Sequence, residues 1–265
     1  MQMSSVRHEA SGYARRYEKT WKVSKSDTPS EMAEVVELVL ANLSTFLHPS
    51  FHVEISRSGG ELFFGDGLYG TYSPNQEGTD SALDGYHHEL LMHSDANMNL
   101  AGLASVIYWG YGTVGDSYAR HRVRWFLNGQ GSTPPVTSEI ASHCLRCVRA
   151  SIDCGQFGIA LGCLGPMGQL SWTPFASKVM AFLAPHGAGV YDYRILYGLP
   201  KSRILKHIFR DALRGVGPVS SPTVQRRYDA WCAVLQTLVR SASAERPELQ
   251  LRPLDIARAI FAAVA

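Results

Sequence analysis

A mainly α-helical fold is predicted for this chain by three features of its sequence. Apolar residues recur at i, i+4, i+7 spacing in segments bounded by Pro, Gly and N-capping residues. Strand-like alternation is read near residues 51–64, where a small β-hairpin is expected. The 265 residues, 45% of them hydrophobic and 18% charged, can bury a sizeable core as one large domain or two lobes.

Residues 1–30 are polar and irregular, with Arg15, Arg16, Lys19, Lys22 and Lys25 among Ser and Tyr. Ser30 is placed to cap a helix from Glu31 to about Leu47, with Val35, Val36, Leu38, Val39 and Leu43 facing inward. Phe51–Ile55 alternates like a strand, Ser58-Gly59-Gly60 supplies a turn, and Glu61–Phe64 is its expected partner. Residues 65–84 are rich in Gly, Ser, Asn and Asp and read as a long loop. His87-His88-Glu89 with His93 is not a metalloprotease site. His88 and His93 are five apart, about 140° round a helix, where zinc needs two His on one face.

Met98–Tyr108 reads as a buried helix running into Gly110-Tyr111-Gly112-Thr113-Val114-Gly115, a literal G-x-G-x-x-G. A dinucleotide site needs a strand before those glycines and an acid about 20 residues later. The next segment is instead basic, with Arg120, Arg122 and Arg124. Trp109 and Tyr111 beside it fit a stacking and phosphate-contacting rim. Thr137–Ile152 is predicted helical and carries Arg146 and Arg149. Cys144 and Cys147 share a turn of it, which suits ordinary burial, and the cluster they could form with Cys154 and Cys163 is not assigned; no metal and no cofactor are expected. Residues 155–170 are Gly-rich and apolar.

After Leu199, Pro200 opens a helix to about Arg214, closed by Gly215. Arg203, Lys206, His207, Arg210 and Arg214 fall on one arc of about 100°, opposite Ile204, Leu205, Ile208, Phe209 and Ala212. A one-signed face of this kind fits the phosphate backbone of a nucleic acid. Ser221-Pro222 begins a helix to about Arg240, and Asp255 is placed to cap a terminal helix, Ile256–Val264.

Charge divides the chain. Residues 1–100 hold 7 Lys and Arg against 14 Asp and Glu, and residues 101–265 hold 18 against 9, for a net +2. The first unit is therefore acidic and the second suited to a polyanion. No apolar run reaches the roughly 18 residues of a membrane span, and no apolar stretch follows the first basic residues, so neither a membrane partner nor a signal peptide is expected. Five cysteines, an odd number, suit a reducing cytoplasm.

The chain is organised around Ser171–Leu199. Thr173 and Pro174 start a helix whose stripe runs Phe175, Val179, Phe182, until Pro185 stops it. Lys178 lies within it. The loop His186-Gly187-Ala188-Gly189 can turn tightly and return Val190-Tyr191-Asp192 alongside, with Asp192 capping the next helix, Tyr193–Leu199. An amine and a carboxylate fourteen residues apart then face one cleft.

The order Ala176-Ser177-Lys178-Val179, Phe182-Leu183-Ala184-Pro185 and Val190-Tyr191-Asp192-Tyr193-Arg194 resembles the active-site region of the helix-hairpin-helix DNA glycosylases, in the branch of 8-oxoguanine DNA glycosylase. The resemblance extends over roughly residues 101–265. It departs from the family's Gly-x-Gly before the Lys, where this chain has Phe175-Ala176-Ser177. It implies two helical lobes around a cleft, with Lys178 as the nucleophile at the sugar C1′ and Asp192 as the assisting carboxylate.

On the same resemblance the chain excises a modified base from double-stranded DNA as a cytoplasmic monomer. The base is an oxidised purine, in repair, or a bulky modified cytosine, since bacterial relatives of this shape are associated with defence against phages carrying modified bases. Trp109, Tyr111, Trp172, Phe175, Tyr191 and Tyr193 are the rings expected to stack on a flipped base. Arg122, Arg124, Arg194, Lys201, Arg203, Lys206, His207, Arg210 and Arg214 are the expected backbone contacts. Two other functions remain open: a non-catalytic DNA-binding module and, on Gly110–Gly115, a dinucleotide-dependent enzyme.

Overall fold

The computed structural model describes residues 29–43, 50–51, 69–70, 79–111, 114–199, 209 and 215–264. Helix α1 (Pro29–Asn42) buries Val35, Val36 and Val39, as its spacing predicts. It begins one residue before Ser30, which therefore lies inside the helix instead of capping it. Ser50 and Phe51 (β1) pair antiparallel with Gly70 and Tyr69 (β2), so the pairing closes further along the chain than the expected 61–64 partner. The intervening residues, like residues 1–28 and residues 200–208 and 210–214, on which the expected basic helix falls, lie outside the described residues.

Helix α2 (Thr79–Met92) starts inside the segment read as a loop. Thr79 and Asp80 are residue types that favour a helix N-terminus, which overrides the loop-like composition before them. Helix α3 (Ala96–Tyr111) is buried on all sides from Ala101 to Trp109, and Asp95 Oδ1 caps it by accepting from the amides of Asn97 and Met98. It packs against α2, α4 (Asp116–Asn128) and α5 (Ser138–Asp153). The unit boundary drawn at residue 100 thus falls within a continuous helix.

Cys147 of α5 and Cys163, just past α6 (Phe157–Gly162), form a disulfide with Cα atoms 6.0 Å apart. This corrects the reading of Cys147 as a buried thiol: its side of α5 faces out, and the spatial partner lies 16 residues on. Among the described residues no group of His, Cys, Asp and Glu is arranged to hold a metal ion.

A short 3-10 turn (Gly168–Ser171) leads into α7 (Thr173–Leu183), which touches α2, α3 and α6. Helix α8 (Tyr193–Gly198) follows, then α9 (Pro222–Glu245) and α10 (Pro253–Val264). Helix α9 packs on α6, α10 and α1, so one continuous core joins Leu103 and Ile107 through Val179 and Phe182 to Tyr228, Trp231 and Leu235. Gly158 lets α6 approach the backbone of α9 at Gln225, too close for a Cβ, and its amide donates to Asp229 Oδ1 at 2.6 Å.

The last helix is locked to α2 by charge. Asp84, 3% exposed, accepts from Arg258 at 2.5 and 3.0 Å and from Arg252 at 2.7 Å. Asp255 does not cap α10 from its first position; it lies in the first turn and reaches back to the Arg252 amide at 2.9 Å. Among the described residues no helix is long and apolar enough to cross a membrane.

Candidate active site

The start of α7 is fixed by backbone pairing to the far side of the basic segment. Trp172 bridges Pro218, the Val219 amide donates to Ser171 O at 2.9 Å, and the Thr173 hydroxyl exchanges hydrogen bonds with Gly217. Thr173 is therefore an anchor and not the N-cap, which falls on Trp172. Pro174 in the first turn loses nothing by lacking an N–H.

Lys178 lies mid-helix with its face toward α3. Gly110 makes that possible, because a Cβ there would stand 2.5 Å from the Phe175 ring and 3.2 Å from Lys178 Cδ. Pro185 breaks the helix as expected, and the chain returns through Gly187 and Gly189. Neither glycine has a positive φ, so their role differs from the turn freedom read in the sequence. A Cβ on Gly187 would strike Phe157 and one on Gly189 would strike Leu235. The loop needs small residues because it is packed, with the Tyr228 hydroxyl donating to Gly189 O at 3.1 Å and Gln236 Nε2 to Gly187 O at 2.8 Å.

Ser177 then aligns the returning strand. Its buried hydroxyl accepts from the Tyr191 amide at 2.9 Å and shares its proton between Tyr191 O at 3.1 Å and Pro174 O at 3.2 Å. Asp192 is thereby delivered beside Lys178. One carboxylate oxygen caps α8, accepting from the Ile195 amide at 3.2 Å, and the other accepts from Lys178 Nζ at 3.5 Å. The amine also donates to Pro174 O at 3.3 Å. Lys178 is 8% exposed and the Asp192 side chain 15%.

Burial lowers the Lys178 pKa from the ordinary lysine range; the nearby Asp192 carboxylate opposes that shift and the charge of Arg194 adds to it. The direction follows from desolvation of an ammonium that has one carboxylate for company. A greater share of neutral amine at a given pH makes a better nucleophile.

No family model, curated protein or solved structure matches this chain.

The aromatic residues separate into two sets. Trp109 and Tyr191 are core rings: Trp109 packs edge-on against Phe182, and Tyr191 is fully buried beside Tyr228 and Trp231. Neither presents a face to a ligand in this conformation, because each fills space between helices. Tyr111 and Phe175 stack 4.4 Å apart, with Lys178 Nζ 5.2 Å from the Phe175 ring. Trp172 and Tyr193 are about half exposed, and Tyr193 stacks on the exposed Tyr197, a ring not among those expected from the sequence.

Of the expected backbone contacts, Arg122 lies over Tyr111 and Trp125, Arg124 is exposed, and Arg194 is exposed over Phe261. Lys201, Arg203, Lys206, His207, Arg210 and Arg214 are outside the described residues. Gly110 and Tyr111 end helix α3, where a dinucleotide fingerprint requires a strand, so that reading loses its structural context. In the sequence Ser177 counts only as a member of the resemblance and Gly110 only as the first glycine of the G-x-G-x-x-G; neither carries a signal for the hydrogen-bonding and packing tasks it has here.

Proposed function

We propose that the protein is a DNA N-glycosylase in which Lys178 and Asp192 act at the sugar C1′ of a nucleotide flipped out of double-stranded DNA. The observation that carries this reading is a buried amine with a lowered pKa, 3.5 Å from a carboxylate, in a part of the chain with excess positive charge. Reaching C1′ requires extrusion of the nucleotide, which in this reading enters a cleft beside Lys178 and Asp192.

The neutral Lys178 amine attacks C1′, forming an N–C1′ bond as the base departs with the electron pair of the glycosidic bond and takes up a proton. Asp192 stabilises the cationic sugar and accepts a proton from the attacking nitrogen. Asp192 returns that proton to O4′ as the C1′–O4′ bond breaks, which gives an iminium. The carboxylate then takes a C2′ proton, the C2′=C3′ bond forms, and the 3′ phosphate leaves with the electron pair of its C–O bond, cleaving the strand. The substrate is a bulky modified cytosine of phage DNA, in antiviral defence, or an oxidised purine, in repair. The protein acts as a monomer, and the Cys147–Cys163 disulfide removes the support that the cysteine content gave to a reducing cytoplasm.

Mass spectrometry of free bases released from oxidised DNA and from modified phage DNA tests the reading. Release of one base class that stops in Lys178→Gln supports it. Release of none from either DNA removes it. A second reading, a non-catalytic DNA-binding module, is favoured by the 8% exposure of Lys178, which leaves the amine little open surface. Tight binding of modified DNA without base release is its signature.

A further inference from the structure

The Arg122 guanidinium is held in a cage. It lies 3.8 Å from the Trp125 ring centroid and 5.0 Å from the Tyr111 ring centroid. Its Nε donates to Gln169 Oε1 at 3.0 Å, and Gln169, itself buried, donates through Nε2 to the Arg122 carbonyl. Side chain and backbone of the arginine are thus gripped by one amide, and two rings pack against the guanidinium. Among the described residues its Nη groups donate to no carbonyl or carboxylate.

Among the described residues no carboxylate pairs with Arg122, whereas the partly buried Arg252 and the buried Arg258 are both matched to Asp84 and Asp255. A half-buried guanidinium held rigid and left without a counter-charge is built for an anion that comes from outside. The planar fork, held at Nε by Gln169, favours an oxyanion taken edge-on by the Nη groups. Its position narrows the choice: Tyr111 stacks on Phe175, against which Lys178 lies, so the cage is two rings away from the amine.

We propose that the Arg122 cage is a phosphate site for one phosphodiester of the DNA backbone near the reacting nucleotide, with Gln169 and Trp125 as its positioning residues. The identity of the anion rests on the DNA-acting reading above; the cage itself does not. Rigid presentation means that no long side chain has to be ordered on binding, so the contact sets register as well as affinity.

The test is binding of the full chain to a short mixed-sequence DNA duplex over a range of salt, with melting curves to check that each variant is folded. Arg122→Gln is expected to weaken binding about tenfold and to reduce the log–log salt slope by about 0.9, the share of one phosphate. Arg122→Lys and Gln169→Leu keep the charge and are expected to keep the slope while losing affinity severalfold, because the held fork is lost. Arg240→Gln, an exposed arginine on α9, controls for charge alone. Unchanged affinity and slope in Arg122→Gln overturn the proposal, as does failure of the wild-type chain to bind duplex at low salt. Arg122-dependent binding without any base release leaves the phosphate site standing and removes the glycosylase reading. Base release that is indifferent to Arg122 does the reverse.

Discussion

The Ser177 hydroxyl grips both backbone groups of Tyr191, accepting from its N–H at 2.9 Å and donating to its C=O at 3.1 Å, and so fixes where the next residue, Asp192, stands. A fully buried serine one position before Lys178 thereby controls the separation of the amine and the acid, although it touches neither side chain.

Ser177→Ala leaves the Tyr191 amide buried without that acceptor, at a cost of about 1–3 kcal/mol in stability. It also frees Asp192 from Lys178. Base release is expected to fall further than the stability loss explains, and Ser177→Thr, which restores the hydroxyl, to recover most of it. Equal stability loss with undiminished base release would show that the pair does not depend on this grip.

Gly110→Ala introduces a methyl 2.5 Å from the Phe175 ring. Overpacking of this kind costs about 1–3 kcal/mol, offset by up to about 1 kcal/mol from the better helix propensity of Ala. The ring and Lys178 must shift together. A lower melting temperature with impaired Lys178 chemistry is expected; a variant as stable and as active as wild type contradicts this packing.

Asp84→Ala strips Arg258 of its two closest acceptors and Arg252 of one. Removing one side of a buried ion pair costs about 3–5 kcal/mol. Denaturant unfolding of this variant should show that loss, whereas Arg246→Ala, at an exposed pair with Glu248, should be near neutral. Similar effects of the two substitutions would contradict the clamp between α2 and α10.

Burial pushes the Asp229 carboxyl up to about 6, against the opposing hydrogen bond from the Gly158 amide. The folded state holds this proton at pH values where the unfolded chain has released it. Stability from this group is therefore full below about pH 4, the unfolded value, and is lost as pH rises to about 6, on the order of 3 kcal/mol. Asp229→Asn should flatten that pH dependence and raise stability at neutral pH. An unaltered profile would place the titration elsewhere.

The helix–turn–helix of Lys178 and Asp192 was legible because Pro174, Pro185 and a capping Asp punctuate it locally. What escaped was non-local. Asp84 meets Arg252 and Arg258 across more than half the chain, and Cys147 meets Cys163 because α6 folds back on α5. Trp109 and Tyr191 look like any aromatic ligand-stacking residues in sequence; only burial tells that their partners are other helices. Gly187 and Gly189 signalled a turn, while the fold uses them for lack of volume.

The central claim is that the Lys178 nitrogen bonds to the sugar. Borohydride added during reaction with substrate DNA reduces an iminium to a stable amine, so peptide mapping of the trapped adduct reads the attachment point. The account predicts an adduct on Lys178, absent in Lys178→Gln, forming at pH values below the ordinary lysine range and shifting lower still in Asp192→Asn. Base release with no adduct, or an adduct on another residue, would contradict it.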